Sequence, residues 1–171
     1  MNNSDRIVFL AALPREMRPE VEALFLFNPR QQLQGKGIHA TISHAGMPTI
    51  VEKDGKVWID VLPGTTQCLF ACAEGIEPFR AVGVILYSRP AIDTIWITHL
   101  AIDPDYAYGG RQATLKVASR LVDRVMTIAQ SIKGITRIQL PYRDRCYMRV
   151  ARPATASSSA HPSAAERGSS V

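Results

Sequence analysis

The sequence predicts an α+β domain in which mostly antiparallel strands are followed by one long helix and a last strand that returns parallel to the strand before that helix. Three observations carry this reading. Short apolar runs divided by Pro, Gly and Asp-Gly turns recur from Ile38 to Asp103; the apolar spacing then changes to i, i+3, i+4, i+7 across Arg111–Ile132; and a further apolar run, Ile135–Tyr142, follows. With 171 residues, 46% hydrophobic and 20% charged, the chain has the size and composition of one globular domain, expected over residues 1–150.

Taken in order, Arg6–Leu13 reads as a short apolar strand. Arg18–Phe27 reads as a helix, with Pro19 in the first turn, where its missing N–H costs nothing, and Pro29 stopping it. Gln31–Gly37 is a polar linker. Strands are expected at Ile38–Ser43, Thr49–Lys53 and Lys56–Leu62, the last two joined by Asp54-Gly55, a two-residue hairpin signal. Gln67–Ala73, Ala81–Ser88 and Thr94–Asp103 follow, with Pro63-Gly64, Gly75, Pro78 and Pro90 as the turn residues between runs. In Arg111–Ile132, Ala118, Leu121, Val122, Val125, Ala129 and Ile132 fall on one face, and Lys116, Arg120, Asp123 and Arg124 fall on others. Lys133-Gly134 is its C-terminal stop. Of the last 21 residues, Ala151–Val171, 16 are Ala, Ser, Pro, Gly or Thr, so this stretch is expected to be a disordered tail.

Several function classes are excluded at this level. The apolar runs fall well short of the ~18 residues needed to cross a bilayer, and the start of the chain lacks the small-residue cleavage site of a signal peptide, so a cytoplasmic protein is expected with no membrane partner. Cys68, Cys72 and Cys146 are an odd set with no C-x-x-C pair; they read as reduced thiols, the first two as core residues on one strand face rather than metal ligands. The net charge of +5 divides into 15 basic against 13 acidic residues up to Pro141 and five arginines against two acids thereafter. The folded part is therefore nearly neutral. No basic block interleaved with aromatics offers a groove for nucleic acid.

The segment that could carry chemistry joins the best strand to the best helix. An apolar strand ends at Asp103-Pro104, a turn carries Gly109-Gly110, with Gly110 expected at a positive φ, and a helix is expected to begin near Arg111. A helix N-terminus offers unpaired N–H groups and partial positive charge, glycine lets an anion approach the backbone, and Arg111 adds a guanidinium, so a pyrophosphate would fit there. The other reading is a simple tight turn.

Gln67–Gly75 followed by Ala81–Arg89 resembles the second and third strands of the GNAT superfamily of N-acetyltransferases, and Trp96–Tyr106 looks like its fourth strand and the turn leading to the acetyl-CoA site. The resemblance covers residues 67–142. It implies an acyl-CoA N-acyltransferase fold and an N-acyltransferase that moves an acetyl group from acetyl-CoA to a small-molecule or protein amine. In that family the turn reads Arg/Gln-x-x-Gly-x-Gly/Ala; here the pattern starts at Ala107, keeps Gly110 and places Gln112 where a small residue is expected, with Ala113 filling that role if the loop is one residue longer. By this resemblance the pyrophosphate meets Gly109, Gly110, Arg111, Gln112 and Ala113, and the pantetheine arm adds like a strand to the backbone of His99, Leu100, Ala101 and Ile102.

The family's in-strand carboxylate base and its tyrosine-bearing helix after the fifth strand have no counterpart here. Between Asp93 and Asp103 the only titratable side chain in the strand is His99, which becomes the candidate base, with a histidine packed on the sheet or exposed as the alternative. Tyr142 and Tyr147 are candidate acids by position. The fold is expected to be shortened at its C-terminal end, and three outcomes follow: the strands of Ile38–Leu62 fill the space, a second copy in a homodimer does, or the domain is non-catalytic and acts in binding or assembly.

Overall fold

A computed structural model describes residues 6–61, 65–74, 79–142 and 146–151. The tail beyond Ala151 and the turns at Pro63-Gly64, Gly75 and Pro78 lie outside the described residues.

Nine strands and four α-helices are described: β1 (Ile7–Leu10), β2 (Leu13–Pro14), α1 (Arg18–Phe25), α2 (Pro29–Gln32), α3 (Gly35–Ala45), β3 (Thr49–Lys53), β4 (Lys56–Asp60), β5 (Thr66–Ala73), β6 (Arg80–Ala91), β7 (Thr94–Ile102), α4 (Val117–Ser131), β8 (Arg137–Gln139) and β9 (Tyr147–Arg149). Six strands form one sheet in the order β1-β5-β6-β7-β8-β9, and β2, β4 and β3 form a small second sheet. Every pairing is antiparallel except β7 with β8, and α4 is the helix that connects those two. The α+β class and the parallel pair around the long helix are as expected. The β3–β4 hairpin is also as expected: Asp54 and Gly55 both have positive φ, at 51° and 71°, which a tight two-residue turn of matching twist requires.

Three expectations are corrected. The strand placed at Ile38–Ser43 is the middle of α3. There the β-branched residues are spaced as a helix, with Ile38, Thr41, Ile42 and Ala45 on one side, and Thr41 Oγ1 and Ser43 Oγ donate to the carbonyls of Gly37 and His39 one turn back. The polar linker at Gln31–Gly37 likewise belongs to α2 and α3. Finally, the long helix begins at Val117, six residues after Arg111; a 3-10 turn at Ala113–Leu115 and a left-handed Lys116, φ 49°, precede it.

Each face of the large sheet has its own core. On one side, Val117, Leu121, Val125 and Ala129 of α4 pack against Val82, Ile85, Ile95, Ile97 and Ile138. On the other, Val21, Leu24 and Phe25 of α1, with Val57 and Ile59 of β4, cover Phe70, Val84, Leu86 and the thiols of Cys68 and Cys72. Burial pushes both thiols up to about 12, so they act as small apolar groups.

Gly83 sets how closely α4 approaches the sheet. A Cβ there would lie 2.9 Å from Val117 Cγ1, 3.0 Å from Ile102 Cδ1 and 3.1 Å from Leu121 Cδ1. Gly83→Val should therefore destabilise the fold by about 1–3 kcal/mol through overpacking, read as a lower urea midpoint with an unchanged m-value.

Candidate active site

The strands β7 and β8 pair over three residues only, Thr94–Trp96 against Arg137–Gln139, and then part. Both partners explain the parting. In β7 the register against β6 shifts between Ile97 and His99, leaving Thr98 as the extra residue of a bulge, and bulges bend their strand. In β8 the ladder ends beside Pro141, which has no N–H to give, and Tyr142 turns the chain with a left-handed φ of 59°. Below the fork, Asp93 acts as a clamp rather than a base: its carboxylate accepts from Thr94 Oγ1 and pairs with Arg137, and its carbonyl accepts from Thr136 N.

Beyond the fork, the peptide groups of Leu100 and Ile102 point away from β6 toward the missing neighbour. Side chains take its place. Tyr142 Oη accepts from Leu100 N at 3.1 Å, Gln31 Nε2 donates to Leu100 O at 2.9 Å, and Asn28 Nδ2 donates to Ile102 O at 2.8 Å. Asn28 is only 3% exposed and also caps α2, its Oδ1 accepting from Arg30 N with Pro29 at the first helical position. A cavity of about 350 Å³ runs along this edge, lined by Arg30, Gln31, Leu100, Ile102, Ala107 and Tyr142 among others. Strands from Ile38–Leu62, one of the three outcomes expected, do not fill this gap; α3 lies against Tyr142 instead, and a Cβ on Gly37 would sit 2.7 Å from Tyr142 Cβ and 3.2 Å from its Cα, so only glycine allows the approach.

The two candidate catalytic side chains are neighbours. The rings of His99 and Tyr142 meet edge to face with centroids 6.2 Å apart, and Phe25 contacts the imidazole at 5.7 Å. Burial raises the Tyr142 phenol above its ordinary value, so it stays protonated at neutral pH. His99 is 2% exposed, and neither ring nitrogen has a hydrogen-bond partner among the described residues. Burial pushes its pKa down to about 4. Tyr147 lies apart from this pair, on β9, with Arg137 over its ring.

No family model and no curated protein matches the sequence.

At the end of β7 the chain turns tightly. Asp103 accepts from Asp105 N and pairs with Arg80 at 2.6 Å, and its carbonyl takes the N–H groups of Tyr106 and Ala107. The loop expected to hold pyrophosphate follows. In it, Gly110 N donates to Ala107 O, Gln112 N to Asp105 O and Ala113 N to Gly110 O. These donors lie within the turn and not at the helix start, which is four residues beyond the last of them. Arg111 is bidentate to Asp105, at 2.7 and 3.2 Å, on the exposed surface. The positive φ belongs to Gly109, at 80°, and not to Gly110, whose absent Cβ makes room for the carbonyls of Pro104 and Asp105.

Asn28, Arg30 and Gln31 escaped the sequence reading because they stand in a segment read as stop and linker. Asn28-Pro29 is a cap signal that could have located α2; nothing local marks Gln31 as a partner for residue 100.

Because the unfolded chain holds a proton on His99 more readily than the folded one, stability should be undiminished above the ordinary value of 6.5 and fall as pH drops toward about 4. The loss attributable to this group is about 3 kcal/mol. Urea titrations at several pH values, run on the wild type and His99→Leu, should show this component of the slope only in the wild type.

Proposed function

We propose that the protein is an N-acyltransferase of the acyl-CoA N-acyltransferase fold, which holds acetyl-CoA in the space between β7 and β8 and acylates an amine beside it. The observation that carries this is the parting of the two parallel strands, which leaves the outer edge of β7 beyond Trp96 without a strand among the described residues and borders it with a cavity of about 350 Å³. A pantetheine arm has amide groups spaced to pair with such an edge, as an added strand would. On this reading it displaces Tyr142, Gln31 and Asn28 from Leu100 and Ile102, and the diphosphate lies near Arg30 and Arg111. Arg111 is free to exchange its carboxylate for phosphate because an exposed pair is weakly held.

The reaction forms an N–C bond and breaks a C–S bond, and the proton lost by nitrogen ends on the thiolate. Tyr142, protonated and released from Leu100, is placed to give its proton to the leaving sulfur and is reprotonated through solvent with the proton that nitrogen loses. His99 stays neutral at physiological pH; its role is to hold the acceptor nitrogen by a hydrogen bond rather than to remove a proton in a separate step.

A non-catalytic domain of the same fold is the second reading, and the side chains already bonded to the β7 edge favour it. Direct calorimetric titration separates the two. Acetyl-CoA should bind in the micromolar to millimolar range, and Arg111→Ala should weaken it roughly tenfold, the scale of a lost charge-assisted hydrogen bond. Tyr142→Phe should leave binding no weaker, since it frees Leu100 N, while turnover falls roughly a hundredfold, the scale of general acid catalysis. Undetectable binding at millimolar acetyl-CoA by the folded wild type would rule out the enzyme.

A further inference from the structure

On the α1 side of β7 lies a second cavity, of about 250 Å³, lined by Phe25, Leu26, Ile38, Ile42, Met47 and His99 among others. Its chemistry is narrow. No Asp, Glu, Lys or Arg is among the described residues that line it. Gln31 also borders it, its amide donating to Leu100 O and its carbonyl oxygen taking the Tyr142 hydroxyl at 3.5 Å; His39 is exposed. Of the polar side chains in this lining, His99 is the buried one, 2% exposed, and neither of its nitrogens has a partner among the described residues. A buried nitrogen gains from any partner it can find, so an occupant that bonds one of them adds a hydrogen bond that the described residues do not make.

The occupant can be specified from the same facts. A neutral imidazole presents one donor and one acceptor on diverging edges of the ring, so a single group bonds one nitrogen, and a group that can either donate or accept, such as a hydroxyl or an uncharged amine, meets either tautomer. A cation is disfavoured because nothing in the wall balances its charge. The volume exceeds the roughly 150 Å³ cavity known to hold benzene, which leaves room for one ring and a short chain. Leu26 and Met47, 50% and 70% exposed at the mouth, extend the apolar surface outward, with Phe27 and Leu33 exposed nearby in the chain at 71% and 83%.

We propose that this cavity binds a weakly basic aromatic amine, with the ring among Phe25, Ile38 and Ile42 and the uncharged nitrogen hydrogen-bonded to His99. That this molecule is the acyl acceptor rests on the acyl-transfer reading; the binding site rests on the cavity alone. An amine of this class is uncharged at neutral pH and attacks a thioester without first losing a proton. A strand with no carboxylate between Asp93 and Asp103 then suits its substrate, because no separate base is called for.

Two isomeric probes of equal size separate charge from shape: para-ethylaniline, uncharged at pH 7.5, and phenethylamine, protonated there. With the full chain and no coenzyme, para-ethylaniline should bind and shift the His99 ring resonances, while phenethylamine binds roughly tenfold or more weakly for want of a counter-charge. His99→Leu should weaken para-ethylaniline roughly tenfold, as for one lost buried hydrogen bond. Met47→Trp, placed at the exposed mouth and independent of the core, should obstruct entry and weaken it as well. Equal or tighter binding of phenethylamine, or His99 resonances unmoved at the solubility limit of para-ethylaniline, would overturn the proposal. Binding of para-ethylaniline without binding of acetyl-CoA would remove acyl transfer and keep this site; the converse would remove this site alone.

Discussion

Peptide groups that lose their strand partner must find another, and much of this fold follows from that requirement at Leu100 and Ile102. The parallel pairing of β7 with β8 stops at Trp96 and Gln139, yet β7 runs on for six more residues. A buried N–H or carbonyl without a partner costs about 1–3 kcal/mol, enough to consume a substantial fraction of the stability of a small domain. The chain meets the need with Asn28, Gln31 and Tyr142, drawn from two regions more than a hundred residues apart. Several local features then make sense together. Asn28 opens α2 so that Gln31 faces the edge, Gly37 lets α3 lie on the tyrosine, and Pro141 ends β8 so that Tyr142 can turn back.

The same parting separates two environments. Along the outer edge of β7 the cavity is bordered by amide, phenol and guanidinium groups. Behind it, on the α1 side, the wall is mostly apolar, with His99, Gln31 and the exposed His39 as its polar side chains. The bulge at Thr98 sits at the junction, since an extra residue in the strand changes which side chains face which side. His99 is thereby turned toward Phe25 and the tyrosine ring, where desolvation and not a neighbouring charge governs its protonation. A histidine so placed holds a fixed neutral state across physiological pH, which suits recognition by hydrogen bonding more than it suits proton removal.

How much of this was legible in the sequence depends on whether the signal was local. The Asp54-Gly55 hairpin, the apolar stripe of α4 and the apolar runs of β5 to β7 are written within windows of a few residues and can be read there. So can the adjacency of Thr94–Asp103 and Ile135–Tyr142, because a long helix between two strands is most simply closed by pairing them. Ile38–Ser43 reads as a strand because its Ile and Thr residues carry strand propensity while their spacing is helical, and over the eleven residues of α3 the two signals compete. The early end of the long helix was misplaced for a different reason. Arg111 to Lys116 could continue an amphipathic pattern, but Gln112 N and Ala113 N are taken by the carbonyls of Asp105 and Gly110, and Lys116 adopts a left-handed φ. As for the site, His99 and Tyr142 were singled out separately by residue type and position, whereas the roles of Asn28 and Gln31 depend on a tertiary vacancy that no short window contains.

The closed edge also limits what any strand-like ligand gains by entering. Each hydrogen bond it forms with Leu100 or Ile102 replaces one already made by a side chain of this protein, so the count of bonds is unchanged and the peptide edge contributes register more than affinity. Favourable free energy has to come from elsewhere. Apolar contact along Leu100 and Ile102 is one source, and charge at Arg30 and Arg111 is another. The tyrosine links the two cavities physically: its hydroxyl closes the outer edge while its ring packs on His99. Any group that takes Leu100 N from it frees the side chain whose ring borders the imidazole, and occupancy of the outer edge is coupled through that one residue to the shape of the apolar wall behind it.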